Sequence, residues 1–143
     1  MNRLLVGSSQ RVWRSVGFWL ALVIGLVQAF YAVQAFIDPI AFAEYRGAPV
    51  AAAADVEWVR IYASRTLFVA MVIAFLLWRR DLATLKWVAL LGTVMPIGDA
   101  ILAYQAEAPT AAVLRHVATV IYLVVTFWAL HAFTSRDRGL SYH

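Results

Sequence analysis

The chain has 143 residues, of which 64% are hydrophobic and 14% charged, with a mean hydropathy of +0.76 and a formal net charge of +4; a soluble domain is only about 45–50% apolar. One domain is the expected size, and four membrane spans of about 20 apolar residues would use nearly all of it, leaving no room for a separate soluble catalytic or nucleic-acid-binding domain. Cysteine is absent, which excludes disulfides, thiolate catalysis, cysteine-held zinc and iron–sulfur clusters.

The first apolar run covers about 16–37 and follows Arg3, Arg11 and Arg14. Ala41-Phe42-Ala43 offers small residues at a cleavage-like spacing, but the run exceeds the roughly 7–15 residues of a signal-peptide core, so a retained helix is expected. Gly17, Ala21, Gly25 and Ala29 recur every four residues on it, a small-residue face that serves close packing either within a bundle or between protomers. The link from Asp38 to Asp55 carries Asp38-Pro39 as a stop signal, Gly47-Ala48-Pro49 as a turn and an alanine run leading back into helix. The second run, about 56–78, ends on the basic link Arg79-Arg80-Asp81. Beyond Lys86 the third run covers about 87–104. Within it, Met95-Pro96-Ile97-Gly98-Asp99 sets a helix-kinking proline and a glycine, expected to allow close backbone approach, immediately before a deep carboxylate. Gln105–Pro109 leads to the fourth run, about 111–133, which Arg136 and Arg138 follow.

Lysine and arginine sort these links. They precede the first run, fill the middle link and follow the last run, whereas the first and third links carry Asp38, Glu44, Asp55, Glu57 and Glu107 against a single Arg46. By the positive-inside rule both termini and the middle link are cytoplasmic. The expected fold is therefore all-α, a single integral membrane domain of four transmembrane helices, multi-pass in the cell (inner) membrane. The basic residues flank apolar runs and do not interleave with aromatics on a polar face, so no nucleic-acid partner is expected.

Depth along each helix follows from the rise of about 1.5 Å per residue. Arg65 lies 13 residues before Trp78, Asp99 lies 13 after Lys86, and Gln28 lies 14 after Arg14, so the three share a level about 20 Å above the cytoplasmic face. Arg60, Tyr62, Tyr31, Tyr104 and His116 share a second level roughly 24–27 Å up. The cytoplasmic halves are almost wholly apolar. A charged residue near mid-span costs about 2.5–3.5 kcal/mol on insertion scales, so these side chains are expected to face inward and pair, Arg65 with Asp99 first. The pattern describes a dry cytoplasmic floor beneath a polar cavity in the outer half.

Several of these features resemble a set of small four-helix integral membrane proteins from bacteria and fungi, grouped as a domain of unknown function and loosely DoxX-like. The resemblance runs from about Asp38 to Phe133 through Pro39, Phe42, Gly47, Val59-Arg60, Arg65, Arg79-Arg80-Asp81, Asp99 and His116. It departs at Ala63-Ser64-Arg65-Thr66, where such proteins carry Gly-x-Arg-Asp or Gly-x-Arg-Asn. It implies the four-helix architecture and the Arg, Asp and His trio, and no particular reaction.

A carboxylate, an imidazole and nearby Arg and Tyr donors in a water-poor pocket suit acid–base catalysis on a lipophilic small molecule, by isomerisation, cyclisation or epoxide opening. In that reading Asp99, His116 and Arg65 form the catalytic set, and Arg60, Tyr62, Tyr31, Gln28 and Tyr104 contact the ligand. Two alternatives are a small-molecule or proton-coupled transporter and a structural membrane subunit whose ion pair fixes helix register. The partners expected are the bilayer, a lipophilic ligand and a homo-oligomeric copy. No metal and no cofactor is expected, since His116 and His131, 15 residues apart on one helix, would need axial haem ligands from another chain.

Overall fold

The computed structural model describes residues 12–52 and 55–139, so Arg3, Arg11, the last two alanines of the first link and the side chain of Arg138 lie outside the described residues. Six helices follow in order: α1 (Val16–Ile37), α2 (Pro39–Arg46), α3 (Asp55–Arg79), α4 (Leu82–Gly92), α5 (Val94–Gln105) and α6 (Thr110–Gly139). Four stretches are long and apolar enough to cross a membrane: Val16–Ile37, Asp55–Arg79, Leu82–Gln105 and Thr110–Arg136. The fold is thus an all-α bundle with four candidate spans. Its outside is as apolar as its core, with Phe30, Phe68, Phe75 and Trp128 exposed, which suits a lipid surround.

The third span is two helices. Pro96 has no N–H for the Gly92 carbonyl and its ring crowds that oxygen, so the ladder breaks at Thr93 and resumes with the Ile97 N–H donating to the Thr93 carbonyl at 3.1 Å. The Thr93 hydroxyl donates to the Leu90 carbonyl at 2.7 Å. The irregularity expected beside Asp99 therefore lies one to two turns earlier. Nor does Gly98 provide a close approach, because a Cβ there would meet nothing within 4 Å.

This span also begins earlier than its hydropathy implies. Asp81 caps α4, accepting the Thr84 N–H at 3.0 Å, and hydrogen bonds from Thr84, hydroxyl first, hold the Asp81 carboxyl below its ordinary pKa. Leu82, Leu85, Lys86 and Ala89 then form one buried face. Lys86, expected in a link, is buried in α4 with its ammonium 5.3 Å from the centre of the Trp87 ring, a cation–π contact.

Helix α1 packs along α3 and α6, and α6 packs along α4 and α5. One end of the bundle, holding the start of α1, the α3–α4 turn and the end of α6, is filled by Phe18, Ile73, Leu76, Leu77, Leu82, Leu85 and Leu130. This proximal end matches the apolar floor. The small-residue face of α1 is consumed within the chain. A Cβ on Gly17 would stand 2.8 Å from Leu130 Cδ2 and 2.9 Å from the Leu130 backbone nitrogen, and one on Gly25 would stand 3.0 Å from Ile73 Cγ2.

Because the obstacle at Gly17 includes backbone, α1 and α6 must part to admit a methyl group. Gly17→Ala is expected to cost about 1–3 kcal/mol, measured as a lower thermal midpoint in detergent. Gly98→Ala is its control, since open space there leaves only the gain in helix propensity, up to about 1 kcal/mol.

Candidate functional site

At the distal end the first link folds back as α2. Asp38 accepts the Ala41 N–H at 3.0 Å and Pro39 occupies the first helical position, where its missing N–H is harmless. The helix stops at Gly47, whose φ of 82° is left-handed, and the Ala48 N–H closes the end on the Ala43 carbonyl at 3.0 Å. Two consecutive carbonyls remain at that terminus, and the first turns of α6 meet both. Arg115 Nη1 donates to the Tyr45 carbonyl, with its guanidinium 4.2 Å from the Tyr45 ring centre. His116 Nε2 lies 3.4 Å from the Arg46 carbonyl oxygen. Basic side chains suit the negative end of a helix dipole, and here they hold α2 in place.

Arg46, so positioned, reaches into the bundle. Its Nη2 lies 2.5 Å from Asp99 Oδ2, and the two side chains are 17% and 31% exposed. The guanidinium lies 5.6 Å from the Tyr31 ring centre and 5.8 Å from that of Tyr62, and the Tyr31 ring rests edge-on against Phe42.

His116 Nδ1 lies 3.6 Å from the same Asp99 oxygen, too far for a hydrogen bond, and is buried with no hydrogen-bond partner. A carbonyl oxygen only accepts, so the Arg46 contact assigns the proton of neutral His116 to Nε2 and turns the Nδ1 lone pair toward the carboxylate. Two acceptors thus face each other with no hydrogen bond between them. Asp99 Oδ1 accepts no hydrogen bond recorded among the described residues.

Beside this cluster is a cavity of about 530 Å³, within the usual range for small-molecule sites. Its walls come from α2, α3, α5, the start of α6 and the stretch after α2. Phe42, Trp58, Val59, Leu102 and Ala103 make much of it apolar, and Arg46, Asp55, Tyr62, Asp99 and His116 are its charged and polar side chains.

Asp99, His116 and Tyr62 therefore converge, and Tyr31 stands behind Arg46. The expected Arg65–Asp99 ion pair is not formed: Arg65 is exposed on α3, and Arg46 takes the carboxylate instead. Depth along the axis placed Arg65 and Asp99 level, but rotation about the axis turns Arg65 outward. Arg60 also stays at the surface, with Nη1 2.7 Å from Glu57 Oε1. Gln28 is half-buried on α1 and Tyr104 is 76% exposed; neither lines the cavity. Sequence reasoning missed Arg46, Phe42 and Trp58 as site residues. The signal for the first two was the capping pattern of α2, a helix start at Asp38-Pro39 and a helix end at Gly47. Asp55, also in the wall, is engaged locally, accepting the Ala51 and Ala52 N–H groups at 3.0 and 2.8 Å.

No curated protein and no solved structure matches the chain. A family described as "Domain of unknown function (DUF4267)" matches residues 25–130, a stretch that contains Arg46, Asp99 and His116, and the chain is a small four-span helical membrane protein belonging to that family.

Proposed function

We propose that the protein binds a lipophilic small molecule in the distal cavity and performs acid–base chemistry on it. The distal end lies in the outer half of the membrane, with both termini cytoplasmic. The observation that carries this reading is the meeting of Asp99 and His116 in the wall of a largely apolar cavity. A pair that merely fixed helix register would need no void beside it. Proton-coupled transport would need a polar path inward, and the proximal half is packed with Phe18, Leu76, Leu77, Leu85 and Leu130.

Isomerisation, cyclisation and epoxide opening each deliver a proton to one atom and remove one from another. Asp99 Oδ1 is the free acceptor and holds a proton taken from the ligand, while His116 Nδ1, 3.6 Å from Oδ2, stands beside it as a second base. Returned to the ligand, that proton restores the starting state. Arg46, with Nη2 2.5 Å from Asp99 Oδ2, stays beside the carboxyl and supplies the fixed charge expected of Arg65.

The test uses the purified protein in nanodiscs, incubated with a lipophilic extract of the source cells and followed by mass spectrometry. Wild type is expected to convert one component into another of equal mass, or heavier by one water. Asp99→Asn keeps an acceptor oxygen for Arg46 and, though less stable, should still fold and insert, and should convert none. Conversion at the wild-type rate by Asp99→Asn would remove Asp99 from the chemistry.

A further inference from the structure

Within the outer half the bundle is open on one side. Helix α3 packs on α1, α2 and α4, and α5 packs on α6, but α3 and α5 do not pack along one another. The cavity lies between them, with Trp58, Val59 and Tyr62 on one wall and Asp99, Leu102 and Ala103 on the other. The cavity thus separates the two helices.

Two residues outside the lining adjoin its walls along the helices. Arg65 follows Trp58 by seven residues, two turns further along α3 and only about 20° away around it, so it lies on the exposed edge of the helix that Trp58 shares with the cavity. On α5, Gly98 precedes Asp99, and a side chain there would project into open space. Charge selects between ligands. Arg46 is neutralised by Asp99 and Arg60 by Glu57, whereas exposed Arg65 makes no recorded ion pair with a described residue. A lone guanidinium at this depth costs about 2.5–3.5 kcal/mol, and a single negative charge arriving with the ligand offsets that cost.

Building on the binding reading above, we propose that the ligand is a lipophilic monocarboxylate. It passes laterally between α3 and α5, with its carboxylate on Arg65 and its apolar body in the cavity. Arg65 is then a binding and selectivity residue, separate from the Asp99–His116 couple. A carboxylate–guanidinium contact is bidentate and strong in this setting, while a neutral ester of the same shape keeps only the apolar part.

The experiment uses palmitic acid carrying a photoactivatable diazirine, and its methyl ester, with wild-type protein in zwitterionic-lipid nanodiscs; crosslinks are located by mass spectrometry. The acid is expected to label cavity residues such as Val59, Tyr62 and Leu102 about tenfold or more above the ester, the loss expected from removing one charge-assisted hydrogen bond. Arg65→Gln should reduce acid labelling to the ester's level, and Arg65→Lys should restore part of it. Gly98→Leu, whose Cβ would meet nothing within 4 Å, should not lower the thermal midpoint and should block cavity labelling by both probes.

Equal labelling of the cavity by acid and ester would overturn the carboxylate assignment while leaving the binding reading intact. Undiminished labelling in a folded Gly98→Leu variant would overturn the lateral route. Failure of both probes to label the cavity would overturn this inference together with the binding reading on which it rests.

Discussion

Arg46→Met is expected to destabilise the protein by about 2–4 kcal/mol, and adding Asp99→Leu is expected to recover most of that loss. Breaking a buried ion pair by removing one member typically costs about 3–5 kcal/mol, because the other charge is left without compensation. The partial exposure of Asp99, 31%, discounts that figure. The orphaned carboxylate would also face the lone pair of His116 Nδ1 at 3.6 Å, an acceptor that offers it nothing. Removing both charges removes both desolvation costs and leaves two apolar side chains of fitting size, often a neutral or stabilising exchange. Thermal melts of wild type, both single variants and the double variant in one detergent give the coupling directly. A double variant that melts no higher than Arg46→Met would mean that Arg46 stabilises the fold through its packing on Tyr31 and Tyr62 rather than through Asp99. On the proposed acid–base chemistry, stability and conversion should separate in the same series, because the rescued variant lacks Asp99 and should convert no ligand.

The four spans were legible because hydropathy is summed over some 20 residues, so errors at single positions cancel. That Asp99, Tyr62 and His116 come to one region of the bundle was legible for a related reason: rise per residue is fixed once a helix is granted. Rotation about the axis was not. In a soluble helix the polar face reveals which side turns inward, but on α3 outward-facing Ile61, Phe68 and Phe75 are as apolar as buried Ala63, Ile73 and Leu76, and the pattern carries no inward direction. Arg65 was assigned to Asp99 on depth alone for that reason. Arg46 was missed through a different error. Asp38-Pro39 ends one helix and starts the next, since aspartate caps and proline fits the first turn, and reading it only as a stop turned an eight-residue helix into a loop. A long polar link with a capped start, and a glycine eight residues after its proline, is the sequence signature of a segment that folds back toward the bundle.

That glycine carries the second large effect. Gly47→Ala is expected to destabilise by about 2–5 kcal/mol, from two separable causes. A φ of 82° costs an L-residue about 1–2 kcal/mol. The new methyl would also stand 2.7 Å from Ala112 Cβ and 3.1 Å from Ala108 Cβ, and overpacking of this kind adds about 1–3 kcal/mol. Ala112 is 3% exposed at the start of α6, four residues before His116, so relief by movement would shift α2 away from the helix that holds its carbonyls. Arg46, adjacent in sequence, would move with it, and Asp99 would lose its partner without any change to either residue. Pairing Gly47→Ala with Ala112→Gly tests this argument, because it removes the closest clash and leaves the backbone strain. The double variant is expected to regain roughly the packing share of the lost stability and to keep the shortfall of about 1–2 kcal/mol due to φ. It should also regain ligand conversion, if the position of α2 is what couples Arg46 to the site. Stability that returns without conversion would show that the left-handed turn itself, rather than the contact with α6, sets the reach of Arg46.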